Sequence, residues 1–387
     1  MSDARPAGAP TYTAGRRPSR TWGRWLIAAA DAAAVVDAAR VASGAIGLGD
    51  LRPLSRSRAR AAVRALQARG LVETRGDSVS LRPRPAGTVL AVDVGGTKIM
   101  AALADLHGGV IDELIVPTTQ QDLAGQIASV RDELTRRAGP AAGPVLAAGV
   151  GVPASYDPVA DRAWSAGNVP ELHEIRPAAA LERALGLPVA VAQDVRMAAV
   201  GERWRGRGKG SDDFVVLCIG TGVAMGIVLG GEVFGGGRGS AGEICYLPLG
   251  NDPFAAEHRE RGAFEDAVAG PAVAKRFAAE SGAERSDHDA RVVFQAAAAG
   301  DPTAARVLER QAELLAMGIS VIVSTLDPSL VILGGGLGSN AALLGPVRQH
   351  AQRLAHRPPA IEPSPLAHRG PLHGSVAVAL ATVPQSA

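Results

Sequence analysis

The residues with the clearest chemical potential follow a short apolar run: Asp93, Gly95, Gly96, Thr97 and Lys98. The run predicts a strand covered on both faces, with Asp93 standing where that strand ends. The two glycines carry no Cβ, so the backbone can approach a bulky anion closely. Thr97 adds a hydroxyl and Lys98 a positive charge, whereas Asp93 suits a hydrated Mg²⁺. The stretch therefore predicts a phosphate-binding hairpin.

A second glycine turn follows another apolar run much further along the chain. Residues 214–219 predict a buried strand, and Gly220, Thr221 and Gly222 come directly after it. A strand–turn–strand hairpin that occurs twice indicates two related lobes closing on a nucleotide, as in the actin-like ATPase (ribonuclease H-like) fold.

We therefore predict an α/β body with a first lobe at residues 88–197 and a second at residues 198–387. Strands are predicted at 89–94, 99–104, 110–116, 145–151, 188–192, 214–219, 224–230 and 329–334, and helices near 122–138, 177–186, 262–281, 289–299 and 303–325.

The first 86 residues differ from the body in charge. They hold 15 arginines and no lysine against six acidic residues, a net charge of +9, whereas the remainder holds 25 basic and 32 acidic residues, a net charge of −7. A basic front on a mildly acidic body predicts that the front binds a polyanion. Residues 1–20 are rich in Pro, Gly, Ser and Arg without periodicity, which predicts a disordered arm.

Residues 21–83 predict a winged helix-turn-helix domain. A helix over 22–41, a short helix near Leu48 and a helix that starts after Ser55 precede a small hairpin. A solvated basic helix is the alternative, but the hairpin directly after the last helix favours DNA binding. The predicted DNA contacts are Ser55, Arg56, Arg58, Arg60, Arg64 and Arg75.

Composition also narrows the class of protein. Two cysteines, Cys218 and Cys245, do not make a disulfide framework, which fits a reducing cytosol. The first 20 residues lack the apolar core of a signal peptide, and no apolar run is long enough to span a bilayer. We therefore expect a cytoplasmic protein with no membrane partner.

Seven short motifs occur in a particular order along the body. They are Asp93-Val-Gly-Gly-Thr-Lys98, Gly149-Val-Gly-Val-Pro153, Gly167-Asn168, Gln193-Asp194, Gly220-Thr-Gly222, Gly242-Glu243 and Leu333-Gly-Gly-Gly336. Each motif alone is weak, but their order resembles the ROK family of repressors, open reading frames and sugar kinases over about residues 88–387. The basic front resembles the repressor branch, because the sugar kinases usually lack that module.

The resemblance implies roles for the matching residues. The phosphate loops are Asp93, Gly95, Gly96, Thr97 and Lys98 and then Gly220, Thr221 and Gly222, and the turn beside the adenosine is Gly334, Gly335 and Gly336. Asn168 and Glu243 match the groups that bind sugar hydroxyls, Tyr246 joins that substrate-binding set, and Asp194 matches the general base. ATP and Mg²⁺ are the cofactors that phosphoryl transfer at these loops would use.

The zinc site usual in this family is degenerate. Tyr246 stands at the position of a histidine, and Ala256, His258 and Ala263 replace three thiols. Thiolates define such structural sites, so we predict no zinc. A remnant site at Cys245 and His258 is the weaker alternative, because a lone Cys and a lone His are more often packing or surface residues.

Two further departures weaken the kinase interpretation. Ala224 replaces a glycine near the second loop, and Arg196 stands two residues after Asp194, where Asn is usual. Arg196 either pairs with Asp194 or contacts an acidic ligand, or else it points to solvent at a helix start. Asp194 itself is either the base or a helix cap at a strand end.

Two functions follow from these patterns. The primary prediction is a sugar-responsive transcriptional regulator, a repressor, that binds operator DNA through its front and a sugar or sugar derivative between its lobes, as a homodimer or larger homo-oligomer. The alternative is an ATP-dependent, glucokinase-like sugar kinase, alone or combined with regulation. A sugar or nucleotide sensor without catalysis is a third interpretation.

Overall fold

A computed structural model describes residues 18–82, 87–119, 121–164, 169–282, 289–354 and 356–384. The helices are α1 Pro18–Val41, α2 Arg56–Gln67, α3 Leu123–Ala138, α4 Pro177–Leu185, α5 Asp194–Arg205, α6 Glu265–Val268, α7 Gly270–Ser281, α8 Ala290–Ala298, α9 Pro302–Leu326, α10 Gly335–Gly338, α11 Ala341–Leu354 and α12 Gly370–Thr382. The strands are β1 Ile46–Gly47, β2 Val72–Arg75, β3 Ser78–Leu81, β4 Thr88–Val94, β5 Lys98–Asp105, β6 Val110–Pro117, β7 Val145–Val152, β8 Ser155–Asp157, β9 Arg162–Trp164, β10 Val189–Gln193, β11 Phe214–Ile219, β12 Val223–Leu229, β13 Glu232–Val233, β14 Leu330–Gly334 and β15 Ala360–Pro363.

These elements form two units. The first comprises the described residues up to Asp212, Gly230–Ala241 and the described residues from Arg369 onward. The second comprises Asp213–Leu229 and the described part of Gly242–His368.

The first unit contains a five-stranded sheet in the order β10-β7-β4-β5-β6. Strands β10, β7 and β4 run parallel, and β5 and β6 continue the sheet antiparallel. Almost every residue of β4 is buried, as its apolar run predicts for a strand covered on both faces. Leu90 and Val92 of β4 share one hydrophobic cluster with Leu123 and Ile127 of α3.

Helix α12 returns from the end of the chain to pack on β4, β7 and α5 in this first unit. A Cβ placed on Gly374 would lie 1.9 Å from the Met197 carbonyl oxygen, and one on Gly201 would lie 2.3 Å from that of Gly370. α5 and α12 therefore touch backbone to backbone. The predicted lobe boundary between residues 197 and 198 falls inside α5, and α12 packs with the first unit, whereas the sequence predicts 198–387 as one lobe.

The second unit contains the strand order β12-β11-β14-β15. β12 pairs antiparallel with β11, whereas β14 and β15 follow in parallel. The single helix predicted over 262–281 is two helices, α6 and α7, because Ala269 between them adopts extended backbone angles. The long α9 packs against α7, α8 and α11.

The front of the chain contains α1, a three-stranded sheet in the order β1-β3-β2, and α2. The short helix predicted near Leu48 is a single 3-10 turn, Leu48–Asp50, in a segment where glycines disfavour helix. Ser55 caps α2 by accepting a hydrogen bond from the Arg58 amide, and the apolar stripe Ala59, Ala62, Val63 and Leu66 of α2 is buried. Residues 1–17, most of the predicted arm, lie outside the described residues, and α1 already begins at Pro18.

The linker residues 83–86 also lie outside the described part of the chain. Among the residues that are described, no helix combines the length and apolar character that a membrane crossing needs.

We expect Gly374→Ala to lower the free energy of unfolding by about 2–4 kcal/mol, because a methyl group there must push α12 away from α5. Gly237→Ala is the matched control, since a methyl group on Gly237 would have no heavy atom within 4 Å and the residue has no positive φ. Urea unfolding of both variants measures the difference. An equal free energy of unfolding of the two variants would show that α12 and α5 can move apart without loss of stability.

Candidate functional site

Two aspartates meet at one edge of the first sheet. Asp93 is the second-last residue of β4, Gly151 lies opposite it on β7, and Asp194 opens α5 directly after β10. Because β4, β7 and β10 are parallel, their carboxyl ends share this edge. A Cβ on Gly151 would lie 3.6 Å from an Asp93 carboxylate oxygen and 3.4 Å from the Asp194 Cα, so both acidic residues border the same glycine.

The two carboxylates influence each other electrostatically. Burial, followed by the negative charge of Asp194, raises the pKa of Asp93 to about 8, and the positive charge of Lys98 opposes this rise. Asp194 accepts a hydrogen bond from the Val195 amide at 2.6 Å, but the N-cap position of α5 belongs to Gln193, whose side chain makes no capping hydrogen bond. Asp194 is instead the first residue of the helix, and its role as a general base stays a prediction.

The first predicted phosphate loop is a tight hairpin turn between β4 and β5. The Gly95 amide donates to the Lys98 carbonyl at 2.9 Å, and Thr118 donates its hydroxyl to the Gly95 carbonyl at 2.7 Å. Thr97 and Lys98 are exposed at the tip of the turn. An exposed hydroxyl and ammonium beside a carboxylate pair suit a phosphate group with its divalent cation, so Asp93 would hold Mg²⁺ and Lys98 would neutralise phosphate.

The second predicted phosphate loop, Gly220 to Gly222, is held by three contacts in the second unit. Glu265 accepts a hydrogen bond from the Val223 amide at 2.9 Å, and Arg261 donates to the Thr221 carbonyl at 3.1 Å. Arg261 and Glu265 also form an ion pair at 3.1 Å. The amide of Gly270, the first residue of α7, donates to the Gly220 carbonyl at 2.8 Å.

Neither Arg261 nor Glu265 was among the predicted site residues. Arg261 lies in a turn and Glu265 is the first residue of α6, so no helical spacing in the sequence indicates that both contact this loop. Ala224 lies on β12 opposite Cys218, after this turn rather than in it.

The predicted adenosine turn lies directly beside the second loop. β11 and β14 are parallel neighbours with Cys218 opposite Gly334, so the turns that follow the two strands are adjacent. Gly335 has a φ of +78°, and a Cβ there would lie 2.4 Å from the Ile219 carbonyl oxygen. Only glycine meets both conditions, which explains the central glycine of this run.

The segment around Glu243 is braced by hydrogen bonds. Tyr246 donates its hydroxyl to the Glu260 carbonyl at 3.0 Å, and the Phe264 amide donates to the Cys245 carbonyl at 3.1 Å. Cys245 donates to a Glu243 carboxylate oxygen at 3.7 Å. Tyr246, at the position of the expected histidine, thus links the chain after Glu243 to the chain at Glu260.

Cys245 and His258, the residues of the alternative remnant metal site, make hydrogen bonds to different partners. Burial, reinforced by Glu243 and Glu265, raises the pKa of Cys245 well above its usual range, which disfavours the thiolate that a metal needs. His258 contacts Asp266, with 2.8 Å between Nδ1 and Oδ2. Within the described ranges no cluster of three or more His, Cys, Asp or Glu side chains could hold a metal ion. The absence of zinc stays a prediction.

Arg196 occupies a place that the sequence did not predict. Its side chain is buried, so the solvent-facing alternative is wrong. The guanidinium donates to the carbonyls of Tyr156, Gly235 and Gly239, the last at 2.6 Å. It therefore ties the loop around Gly235 to the strand at Tyr156. Asn168, predicted to bind sugar hydroxyls, lies outside the described residues.

Most of the predicted DNA contacts form an exposed set, and one does not. Ser55, Arg56, Arg60, Arg64 and Arg75 are exposed. The three helical arginines of this set are spaced by four residues and share one face of α2. This face is called the arginine face below.

Arg58 projects to the other side of α2, because a residue two positions from Arg56 or Arg60 lies about half a turn away. It forms an ion pair with the buried Asp31 of α1 at 2.7 Å and another with Asp212. The buried Arg203 of α5 contacts the same Asp31 at 3.3 Å. Arg58 thus joins the front to the rest of the first unit through ion pairs, whereas the sequence predicted it as a DNA contact.

The order of the loops, the acidic edge and the glycine turns can be compared with known proteins. The model of the ROK family matches residues 89–382. The chain belongs to the ROK family. The loops at Asp93 and Gly220 and the turn at Gly335 are therefore parts of a ROK body, with the actin-like ATPase type of α/β fold.

Relatives of this ROK chain include sugar kinases. A glucokinase of Halalkalibacterium halodurans is 30% identical over 286 residues, which cover 69% of this chain and 86% of that enzyme. The bifunctional enzyme NanE/NanK of Brucella suis is 36% identical over 283 residues, 70% of this chain and 49% of that enzyme.

Solved structures extend the similarity. A ROK glucokinase of Streptomyces griseus in complex with glucose and AMPPNP has a TM-score of 0.66 and 26% identity, covering 76% of this chain and 99% of that one. A ROK transcriptional regulator that is a homolog of the E. coli MLC protein has a TM-score of 0.72 and 20% identity, covering 92% of this chain and 97% of that one. At that identity the regulator shows a shared fold.

The raised pKa of Asp93 gives a pH-dependent prediction. The folded chain holds this proton more tightly than the unfolded chain, so this group's contribution to stability falls as pH rises from about 4 to about 8. We expect Asp93→Asn to remove that fall and to be more stable than the wild type at pH 8 by about 1–3 kcal/mol, with a smaller difference at pH 5.

Urea unfolding at a series of pH values measures this effect. The control is Glu174→Gln, which neutralises an exposed carboxylate of the same unit. A constant difference between wild type and Asp93→Asn across the range would contradict the raised pKa.

Proposed function

We propose that this ROK protein is a sugar-responsive transcriptional regulator, acting as a repressor that binds operator DNA through its front. The observation that carries the proposal is the arginine face of α2, which is exposed and precedes a β-hairpin bearing the exposed Arg75. Sugar kinases need no such basic element. In a winged helix-turn-helix, the helix before the wing enters the major groove, so α2 is the proposed recognition helix and β2–β3 the proposed wing.

The extent of the structural similarity supports this assignment. The structure of the regulator covers 92% of this chain, whereas that of the glucokinase covers 76%. The difference of 92% − 76% = 16% of the 387 residues is about the length of the front, which lies before the start of the family match at residue 89. A regulator requires a folded front of this kind.

The proposed DNA contacts divide into two kinds. Arg56, Arg60 and Arg64 reach base edges or phosphates from α2, and Arg75 reaches a phosphate from the wing. Ser55 caps α2 and leaves its side chain at the helix end that faces DNA in this mode. Two copies of the chain in a homodimer would present two such heads to the half-sites of a palindromic operator.

The proposed effector is a sugar or sugar derivative bound by the ROK body. Asp194 and Glu243 offer carboxylates that accept hydrogen bonds from hydroxyls, and Asn168 and Tyr246 complete the proposed substrate-binding set. A sugar that prefers one conformation of the body shifts the population of that conformation, and the DNA affinity with it.

DNA binding can be tested with arginines from the two sides of α2. We expect Arg60→Ala and Arg64→Ala each to weaken binding to the region upstream of the protein's own gene and to reduce the slope of log affinity against log salt by about 1. We expect Arg58→Ala instead to lower the free energy of unfolding by about 1–3 kcal/mol, because Asp31 loses a partner.

Arg162→Ala, an exposed arginine of the body, is the control for net charge. Binding is measured by fluorescence anisotropy against that region and against random DNA at several salt concentrations. The proposal fails if the protein shows no preference over random DNA at any salt.

A sugar kinase is the second candidate, alone or in one bifunctional protein. The specific observation in its favour is the acidic edge, where Asp93 and Asp194 border Gly151 beside an exposed Lys98. The 30% identity to a glucokinase agrees with it. In this mechanism Asp194 would take the proton of the attacking hydroxyl, and the two loops would hold ATP–Mg²⁺, which would supply the phosphoryl group and charge neutralisation; no zinc is proposed.

We expect Asp194→Asn to lower any ADP release over a panel of hexoses and amino sugars by about 10²–10⁴-fold, because it removes a general base. The control is Asp132→Asn, which changes an exposed carboxylate on α3. Coupled ADP-release assays measure the rate, and calorimetry measures sugar binding. An unchanged rate in Asp194→Asn would exclude Asp194 as the base. Sugar binding by the wild type without ADP release would exclude the kinase function.

A further inference from the structure

A cavity of about 200 Å³ lies within the first unit among α1, α2 and α12. It is separate from both phosphate loops and from the acidic edge, since none of their residues lines it. Its walls come from the helix that joins the front to the body, from the proposed recognition helix and from the last helix of the chain. No role in the proposed sugar or DNA chemistry uses it.

The floor of the cavity is apolar. It is formed by the buried side chains Ala33, Val36, Leu66, Leu71, Ala377 and Leu380. Small alanines on facing helices leave the space that longer side chains would fill. Such walls offer no hydrogen-bond partners to sugar hydroxyls, whose burial there would leave them unsatisfied. The floor therefore selects an apolar group.

The mouth of the cavity carries a positive charge. Arg69, just after the end of α2, is half-buried among partly exposed residues that include Trp25 and Ala32. It donates to the Ala65 carbonyl of α2 at 2.8 Å and to the Ala381 carbonyl of α12 at 2.6 Å, so the guanidinium spans the two helices at this point. Burial lowers the pKa of Arg69, which means that its charge is poorly solvated.

We propose that this cavity binds a small organic monocarboxylate, with its apolar body on the floor and its carboxylate at Arg69. The volume fits such a ligand, because an apolar cavity of about 150 Å³ accommodates benzene. The guanidinium fits it as well, because arginine binds carboxylates through charge-assisted hydrogen bonds. An aryl or short alkyl acid has both the apolar body and the carboxylate, whereas a neutral sugar has neither.

The position of the cavity gives it a consequence for DNA binding that rests on the proposed function. Leu66 and the end of α2 line the cavity, and the same helix carries the arginine face. A bound acid contacts the recognition helix and α12 together and so favours one arrangement of the two. The protein would then respond to an organic acid in addition to a sugar.

Calorimetry with the full chain tests the cavity directly, without DNA. The probes are 3-phenylpropionate and the neutral 3-phenylpropan-1-ol, which differ only in the charged group. We expect the acid to bind one site per chain, and the alcohol to bind at least about tenfold more weakly, as the loss of one charge-assisted hydrogen bond implies.

Two pairs of variants separate the floor from the mouth. Ala32→Leu projects into the cavity and should weaken both probes at least tenfold, whereas Ala34→Leu, on the same helix outside the lining, should leave both unchanged. Arg69→Met keeps the length of the side chain without its charge, so it should bind the alcohol as the wild type does and lose the preference for the acid. Arg69→Lys should retain part of that preference.

Several results would overturn the proposal: no binding of the acid at millimolar concentration, equal affinity of Ala32→Leu and wild type, or a preserved acid preference in Arg69→Met. If Arg69→Met does not fold, the Ala32→Leu and Ala34→Leu pair decides. Operator binding with and without the acid tests the consequence for DNA separately. A protein that binds the acid and no operator would refute the proposed regulator and leave the acid site intact.

Discussion

The contact between α12 and α5 is the constraint on which the first unit depends, because it brings two helices together at a distance that only glycine permits. Gly374 and Gly201 let main-chain atoms of the two helices touch. The first residue of α5 is Asp194, so this contact fixes the helix that carries one half of the acidic edge. The other side of α12 meets α1 and lines the apolar cavity. One close contact thus links the acidic edge, the front and the cavity.

Charge performs two different tasks in the first unit. On one side of α2, arginines four residues apart remain exposed. On the other side, Arg58 meets the buried Asp31, which also contacts Arg203 of α5. The desolvation of Asp31 is offset by two guanidinium partners from different elements, so removal of one leaves a buried charge poorly compensated. The same helix therefore leaves one basic face exposed and is anchored to the rest of the first unit through the other.

The second unit holds its loops by a different device. Tyr246 stands at the position where the family resemblance implies a histidine, and the segment that follows is held by hydrogen bonds to main-chain carbonyls and by the pair Arg261 and Glu265. Directional hydrogen bonds from several residues can fix a loop as a tetrahedral metal does, although each contributes only modestly. The turn at Gly220–Gly222 is thereby tied to the segment that carries Glu243.

The sequence by itself determined the local elements and the family. Apolar runs that end in glycine predict buried strands and turns, since a strand inside a parallel sheet is apolar on both faces and a turn needs backbone freedom. The strands at residues 89–94 and 214–219 and the helix after Ser55 were found in this way. The ordered motifs identified the ROK family, whose model matches residues 89–382.

Only the tertiary structure decided which distant residues meet. Nothing local in the sequence places α12 with the first unit, buries Arg196 against three carbonyls or turns Arg58 toward Asp31. These contacts join residues separated by up to hundreds of positions, and their energy depends on burial and distance, which residue type and spacing do not encode. The cavity beside Arg69 is of the same kind, since an empty space exists only once three helices have packed around it.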